Sequence, residues 1–433
     1  MNNKPNTPIA YHGKWRIPEY DSWKNIIGFQ ECMGTLICDD KGNTLEVYHE
    51  PKQGMISHMY ACHDVIFGME ANGRVFTLFN AAMVNSQNFS KTTYKVKLVL
   101  VDREVKSLDE PIYDECRVRF PYLKEWAFQT RLGLNDTKDN YTITLNKNND
   151  TSIMNVDIDE NTSLSLFQFY HIHTTRYDFN ITQDTQLYIN SKTKLSIRKY
   201  LEYISIFNDF LSIALFGKQS PSIIEFKNKK ETRRVAGKLL FGVETSVKPS
   251  IKGLLDFNTH KSRLDGIIKK WVADYEQLAP ICSYLIESIH PKTFDAPDFL
   301  IIAQALDGYF KRFVNKKDGK NTKQYEHQIK KLLEHFKGVK ALQACNLDAK
   351  VLAHSRHKYS HLIPDDETKN VEKAVSGEEL YYLTRKAIVL LTCCILDNLG
   401  LTTEDINACF EGSVIEEIVH DIPFWYTDTE EEK

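Results

Sequence analysis

The stretch Ser196-Ile-Arg-Lys-Tyr-Leu-Glu-Tyr-Ile-Ser-Ile-Phe-Asn-Asp-Phe-Leu-Ser-Ile-Ala-Leu-Phe-Gly217 marks the point where the period of the apolar residues changes. Its apolar side chains recur at steps of three and four, as on one helix face, and the run stops at a glycine, which is typical of helix ends. Earlier segments alternate with a period of two, and later ones have a helical period. The sequence therefore predicts an α+β protein: a β-rich, sandwich- or barrel-like N-terminal domain followed by an all-α helical bundle.

Hairpin patterns support the β-rich prediction. Residues 34–38 and 44–48 flank a turn with a glycine, and residues 64–67 and 75–78 flank Asn-Gly, a dipeptide suited to the left-handed dihedral angles of tight hairpins. In residues 94–100 the apolar side chains at 94, 96, 98 and 100 alternate with Lys95, Lys97 and Val99, which gives a strand one apolar face. We predict two hairpins and at least one further strand here.

The apolar spacing beyond residue 260 is helical. Candidate helices cover 261–278, 295–314, 322–337, 347–362 and 376–399. We place the main domain boundary near residue 260, between a regulatory region 1–260, which includes the helix 196–217, and a helical domain 261–433. The C-terminal tail from Leu401 has ten acidic residues against one lysine, a composition typical of a solvated end.

Composition excludes several classes of protein. The chain has 433 residues, 42% of them hydrophobic and 26% charged, so it is not disordered. Nine cysteines without a C-x-x-C pair indicate reduced thiols, and the longest apolar run, Ala387–Leu396, is too short to span a membrane. Glycine-rich nucleotide-binding motifs are absent. We expect a cytoplasmic protein that needs no cofactor.

The segment with the clearest chemistry is Asp348-Ala-Lys-Val-Leu-Ala-His-Ser-Arg356-His-Lys-Tyr-Ser-His361-Leu-Ile-Pro364. Pro364 forces the helix to end near His361. Arg356 offers a planar, permanent cation that fits phosphate oxygens, and His361 offers an imidazole that can give or take a proton. Together they suit RNA cleavage without a metal, in which the 2′-hydroxyl attacks the adjacent phosphate.

Three segments also resemble a known family. Arg356-His357-x-x-x-His361 resembles the Arg-x(4-6)-His motif of HEPN ribonucleases. Phe299-Leu-Ile-Ile-Ala-Gln-Ala-Leu-Asp-Gly-Tyr309 and Phe67-Gly-x(4)-Gly-x-x-Phe-Thr-Leu78 resemble segments of ApeA-like bacterial anti-phage proteins. The resemblance covers most of the chain. It implies an ApeA N-terminal domain followed by an ApeA-like HEPN domain.

The family resemblance carries a function and a set of residues. It implies a cytoplasmic ribonuclease that cuts tRNA or other RNA and halts growth of the infected cell. The role that remains for the N-terminal region is either sensing, for example of a phage-derived trigger protein, or autoinhibition. Arg356 and His361 would be the catalytic pair and His357 an accessory residue. HEPN proteins also imply a homodimer through the helical domain.

Helix geometry leads to the same homodimer. Residues five apart, such as Arg356 and His361, lie about 140° apart on an ideal helix, so a joint site needs either fraying of the helix end or completion by a second chain. Cleavage needs one base and one acid, and each chain has one His361. A two-fold axis that brings two His361 side chains to one phosphate would supply both.

Two alternatives stay open at this stage. His354, His357 and His361 share one helix face and could hold a metal, but no H-E-x-x-H glutamate accompanies them and Arg356 would oppose a cation, so we predict no metal. The second alternative is a non-catalytic RNA- or protein-binding HEPN module that uses the same basic helix face.

Charge near the motif indicates an RNA partner. Residues 311–358 contain 13 lysines and arginines against four acidic residues, a net charge of +9, although the whole chain carries −3. We identify Lys340, Lys350 and Lys358 as candidate RNA contacts, and a solvated helix face is the alternative. Asp307, in the middle of an apolar helix, is either an acid that orients Arg356 or an ordinary surface aspartate.

Overall fold

The structure is a computed structural model. It describes residues 8–23, 25–39, 41–48, 62–87, 90–129, 132–137, 140–145, 152–229, 231, 237–240, 246, 252–289, 296–315, 324–364 and 371–426. The chain forms two compact units. The first comprises Met1–Lys124, Lys147–Ser205 and Ser220–Thr245, and the second comprises Glu125–Asn146, Ile206–Gln219 and Ser246–Lys433. The chain passes between the units more than once, and the single boundary near residue 260 stays a prediction.

A twelve-stranded antiparallel sheet forms the first unit. Its strands are β1 (Ile9–Tyr20), β2 (Ile26–Asp39), β3 (Gly42–Tyr48), β4 (Cys62–Glu70), β5 (Val75–Gln87), β6 (Lys91–Val101), β7 (Tyr113–Arg119), β10 (Met154–Asp157), β11 (Thr162–Thr174), β12 (Phe179–Leu195), β13 (Ile223–Lys227) and β14 (Gly237–Leu240); the hairpin of β8 (Leu132–Thr137) and β9 (Asn140–Leu145) belongs to the second unit. Strands β1, β2, β3, β6, β5 and β4 pair in that order, and β4 pairs with β1 again. These six strands therefore close a barrel, and β14, β13, β7, β12, β11 and β10 continue the sheet from β6.

The barrel encloses an apolar core. Trp15, Leu36 and Phe76 are fully buried, because alternate side chains along each strand point inward. Both predicted hairpins are confirmed as β2–β3 and β4–β5. Gly73, in the second turn, has φ of 85°, a conformation that favours glycine. The barrel-like N-terminal prediction is therefore confirmed.

Helices make up most of the second unit, although the first two helices of the chain begin in the first unit. They are α1 (Leu123–Trp126), α2 (Ile197–Ala214), α3 (Phe257–His260), α4 (Leu264–Ser288), α5 (Ala296–Tyr309), α6 (Tyr325–His335), α7 (Lys340–Cys345), α8 (Ala349–His361), α9 (Gly377–Asn398), α10 (Thr403–Phe410) and α11 (Val414–Tyr426), with one π-helical turn, Phe310–Val314, directly after α5. Helices α2, α4, α5, α6, α8 and α9 confirm the predicted segments to within a few residues, except that α4 continues ten residues further.

The central helix of the second unit is α9, which contacts α4, α5, α6, α7, α10 and α11. Its residues 387–396 are buried on every side, which explains why they form one apolar run without helical alternation. No helix in the described part of the chain is long and apolar enough to cross a membrane.

The prediction of a solvated tail from Leu401 is wrong. Helices α10 and α11 occupy most of it, and Ile406, Phe410 and Ile415 are buried. Thr402 and Asp405 form a capping box at the start of α10. The six acidic residues in the described part of the tail lie mostly on exposed positions and in first turns, where the helix dipole favours them, so the charge count does not reveal the apolar spacing. Residues 427–433 lie outside the described part.

Candidate active site

Helix α8 carries the Arg356–His361 motif, and local signals fix both of its ends. The Asp348 side chain caps the N-terminus by accepting a hydrogen bond from the Lys350 backbone N–H, at 2.7 Å. The helix ends at His361, because Leu362 adopts a left-handed conformation with φ of 51° and Pro364 follows. The motif therefore occupies the last two turns of a short helix.

The inner face of α8 packs against α5 and α6. Leu352 and Ser355 are fully buried on this face. The backbone N–H of Val375 donates to Ser355 Oγ at 3.1 Å, and Tyr359 Oη donates to the carbonyl oxygen of Val375 at 3.0 Å. These contacts attach the segment before α9 to the motif helix. The helix is therefore held by α5 and α6 on one side and by this segment on another.

Arg356 is turned inward onto a buried carboxylate. Its Nη2 lies 3.1 Å from Oδ2 of Asp307, whose side chain is 5% exposed. Lys311 Nζ lies 2.8 Å from the same oxygen. Asp307 is therefore no ordinary surface aspartate: it pairs with two cations from two elements of the bundle.

An aromatic ring supports the guanidinium of Arg356. The Arg356 Cζ atom lies 4.4 Å from the centroid of the Tyr325 ring, close enough for a cation–π interaction. Tyr325 is buried, burial raises the pKa of its phenol, and its hydroxyl donates to the carbonyl oxygen of Ala303 at 3.0 Å. Asp307 and Tyr325 together fix the plane and position of the guanidinium.

His361 and His357 form an exposed pair at the end of α8. Their ring centroids are 4.7 Å apart and their planes meet at 62°. No hydrogen bond or ion pair among the described residues joins Arg356 to His361. Within one chain, the structure holds the arginine against the bundle interior and the histidine at the surface.

The three histidines on α8 do not gather into a metal site. His354 Nδ1 accepts a hydrogen bond from the Lys373 backbone N–H at 3.4 Å, whereas His357 and His361 contact each other. In the part of the chain that the structure describes, no three His, Cys, Asp or Glu side chains are placed to hold a metal ion.

The three candidate RNA-binding lysines lie on two helices. Lys350 and Lys358 are partly exposed on α8, and Lys358 Nζ lies 5.7 Å from the centroid of the Tyr359 ring. Lys340 is exposed at the start of α7. Lys350 and Lys358 therefore share the motif helix, while Lys340 belongs to a separate element.

Several basic residues of the segment 311–358, whose net charge is +9, pair with acidic neighbours. Lys330 pairs with Glu326 at 2.6 Å, and Lys337 pairs with Glu334 at 2.8 Å. The lysines at 316, 317, 320 and 323 lie outside the described residues. Glu326 and Glu334 are already included in the +9, whereas Asp307, which pairs with Lys311 and Arg356, lies outside that segment and lowers the local charge by one.

Two residues of the site, Lys311 and Tyr325, had not been identified as site residues from the sequence. Lys311 follows Asp307 by four residues, a spacing that places two side chains on one helix face, so the sequence contained a signal for that contact. Tyr325 reaches Arg356 only through the packing of α6 against α8, and no sequence pattern indicates this contact.

Comparison with family models matches two parts of the chain. The model for ApeA N-terminal domain 1 matches residues 10–271, which is more than half of the chain. The model for Apea-like HEPN matches residues 300–405, which include α8 and Asp307. Comparisons with curated proteins and with solved structures give no match.

Proposed function

Since the chain belongs to the ApeA family, with an ApeA N-terminal domain 1 and an Apea-like HEPN domain, we propose that it is a metal-independent endoribonuclease of anti-phage defence. HEPN domains in general are ribonucleases. The observation that carries the proposal is the placement of Arg356. Asp307 and Tyr325 hold its guanidinium, and Arg356 itself lies on the same short helix as the exposed His361. This arrangement supplies an oriented cation and an accessible imidazole.

The proposed reaction uses the 2′-hydroxyl of RNA as the nucleophile. One His361 takes the proton of that hydroxyl while its oxygen attacks the adjacent phosphorus. Arg356 stabilises the negative charge on the phosphorane, and an acid protonates the departing 5′-oxygen. The products are a 2′,3′-cyclic phosphate and a 5′-hydroxyl. His357, in ring contact with His361, is an accessory residue that helps to position it.

We propose that a second copy of the chain completes the site. In one chain Arg356 faces Asp307 and His361 lies at the surface, so one copy supplies one accessible catalytic histidine. A two-fold axis through the helical domain would place two His361 side chains at one phosphate, as base and acid. Mixed dimers with one His361→Ala chain should lose at least about 10-fold in activity. Full activity in mixed dimers would rule out a shared site.

Cleavage assays in EDTA test the proposed function. Purified full-length protein should cut RNA in EDTA, and Arg356→Ala and His361→Ala should not, with unchanged circular dichroism and melting temperature. His420→Ala is a matched control, because His420 is an exposed histidine on another helix, α11, and should cleave like wild type. Activity that is lost in EDTA and restored by zinc or manganese would instead support metal binding by His354, His357 and His361.

A non-catalytic RNA-binding module is the second candidate function. It is favoured by the separation of Arg356 and His361, which share no hydrogen bond among the described residues. Under this alternative, wild-type protein would bind RNA through Lys340, Lys350 and Lys358 without cutting it. Binding with no cleavage by either wild type or His361→Ala would support it.

Family membership also supports a cellular role. We propose that activity in the cytoplasm of an infected cell cuts tRNA and stops growth, and that residues 1–260 respond to a phage-derived protein. Sequencing of RNA ends after induced expression of wild type and His361→Ala tests the substrate. New ends within tRNA in the wild-type sample alone are expected, and ends confined to other RNA would contradict the tRNA assignment.

A further inference from the structure

The Asp307 carboxylate, which orients Arg356, pairs with two cations, although one would neutralise its charge. Asp307 Oδ2 lies 3.1 Å from Arg356 Nη2 and 2.8 Å from Lys311 Nζ, so this cluster of one acid and two bases has a net charge of +1. Arg356 alone would neutralise the buried carboxylate. The charge of Lys311 is therefore available to a ligand.

Both cations can reach a ligand at the surface. The Lys311 side chain is 60% exposed and that of Arg356 is 26% exposed, whereas Asp307 is buried between them. Among the described residues, each cation has Asp307 as its one hydrogen-bond or ion-pair partner. An arginine has five N–H donors and a lysine three, so most donors of both groups remain available.

The separation of the two cations suits a phosphate group. Because both nitrogens lie close to one oxygen, they are at most about 6 Å apart, and two oxygens of one phosphate can accept from donors at that separation. An ion pair that includes an exposed lysine contributes little to stability. Lys311 can therefore move from Asp307 to a phosphate at small cost.

The backbone at Lys311 is also unusual. Lys311 lies in the π-helical turn Phe310–Val314, which interrupts the helix directly after Asp307 and Tyr309. π-helical turns are rare in proteins, and those that occur are often found at functional sites. The π-helical turn is an observation independent of the ion pairs, and it also indicates a functional role for the segment that holds Lys311.

We propose that Lys311 and Arg356 form a two-cation site for a backbone phosphate of single-stranded RNA, with Asp307 holding both when no RNA is bound. Lys311 binds the RNA directly and is a substrate-binding residue outside the Arg-x(4)-His motif. The inference rests on the proposed function for its ligand class. Its test requires no cleavage.

The test measures binding of a fluorescently labelled single-stranded RNA oligonucleotide to full-length His361→Ala protein at several salt concentrations. Lys311→Met removes the charge and keeps the aliphatic stem, and Lys311→Arg keeps the charge. Lys270→Met is the matched control, because Lys270 also pairs with an aspartate four residues away, Asp274, at 2.5 Å, and Asp274 also accepts from Asn398 at 3.0 Å. The melting temperature of each variant is measured first, and binding is compared between variants whose melting temperatures agree.

Lys311→Met should weaken binding by about 3- to 10-fold and lower the slope of log Kd against log salt concentration by about 0.7, the value for one phosphate contact in a single strand. Lys311→Arg should bind within about 2-fold of the parent protein, and Lys270→Met should not change the slope. Equal slopes for Lys311→Met and Lys270→Met, or a Lys311→Arg variant as weak as Lys311→Met, would overturn the inference. If wild-type protein cuts no RNA, the proposed function fails, yet this binding comparison still decides the role of Lys311.

Discussion

The β-barrel and the motif helix each contain a histidine next to aromatic rings, but they place it differently. In the barrel, His63 on β4 is 3% exposed, stacks on Tyr20 with ring centroids 5.7 Å apart, and meets the edge of Tyr94 at 5.3 Å. Burial lowers the pKa of His63 to about 4, so the ring is neutral at physiological pH. On α8, His361 lies exposed at the end of the helix against His357.

The difference shows that position decides what each histidine can do. His63 packs as a neutral ring inside a sheet, where no substrate can reach it. His361 lies where a helix ends, one turn after an arginine that the bundle holds in place. The same residue type therefore contributes to stability in one region and is available for proton transfer in the other.

The largest expected effect is on the rate of RNA cleavage, which should depend on His361 and not on His63. His361→Ala should lower the rate of RNA cleavage by about 1,000-fold, because it removes the proposed proton donor and acceptor. His63→Ala should retain the wild-type rate per folded molecule while lowering stability. Cleavage kinetics, normalised to the folded fraction from circular dichroism, provide the check. A comparable loss of rate in both variants would remove the functional distinction between the two regions.

Acid should destabilise the barrel through His63. The pKa of His63 is about 4 in the folded state and about 6.5 when unfolded, so its contribution to stability is full above pH 6.5 and is lost as pH falls towards 4. We expect a loss of about 2 to 3 kcal/mol between pH 7 and about pH 4.5. Hydrogen exchange of β4 in wild type and His63→Phe measures this loss. Equal acid sensitivity of the two proteins would contradict a buried, neutral His63.

The helical unit should respond to acid at a lower pH. Two hydrogen bonds from Arg263, at 2.9 and 2.8 Å, and the cap with Thr402 hold the pKa of Asp405 down to about 2. This contribution is full above pH 3.8 and is lost as pH falls through 2. Because solvent screens this pair, Asp405→Asn should cost only about 1 to 2 kcal/mol at pH 7 and about a few tenths of a kcal/mol near pH 2. Hydrogen exchange of α10 checks it, and an undiminished deficit at pH 2 would indicate lost packing instead.

The smallest expected effect concerns the cap of the motif helix. Asp348→Ala removes the acceptor for the backbone N–H groups of Lys350 and Val351 and should cost about 1 kcal/mol. Asp348→Ser keeps a capping oxygen and should cost only about a few tenths of a kcal/mol. Hydrogen exchange at the first turn of α8 measures both. Equal exchange in the two variants would show that packing alone holds this end of the helix.

Local patterns in the sequence predicted the elements, whereas contacts between distant segments did not follow from them. Alternating residues and an Asn-Gly turn identified β4–β5, and three- and four-residue spacing identified α2 and α8. Closure of the barrel depends on β1 pairing with β4, strands that are far apart in the sequence, and no local pattern encodes that pairing.

The same distinction applies to the site. Arg356 and His361 follow from the motif, and Asp307 was noticeable as a charge in an apolar helix. The contact of Tyr325 with Arg356 arises from the packing of two helices, and the second cation on Asp307 requires coordinates. In the acidic tail, the net charge indicates a solvated end, whereas the spacing of Ile406, Phe410 and Ile415 matches the buried helix faces that the structure shows.

We propose that Arg356 and His361 cut RNA through its own 2′-hydroxyl. The most direct measurement uses a DNA oligonucleotide that contains a single ribonucleotide, incubated with full-length protein in EDTA, followed by analysis of the product ends. We expect one cut, 3′ to the ribonucleotide, with a 2′,3′-cyclic phosphate, and no cut by His361→Ala. Cleavage at deoxyribonucleotides, or no cleavage until a metal is added, would contradict it.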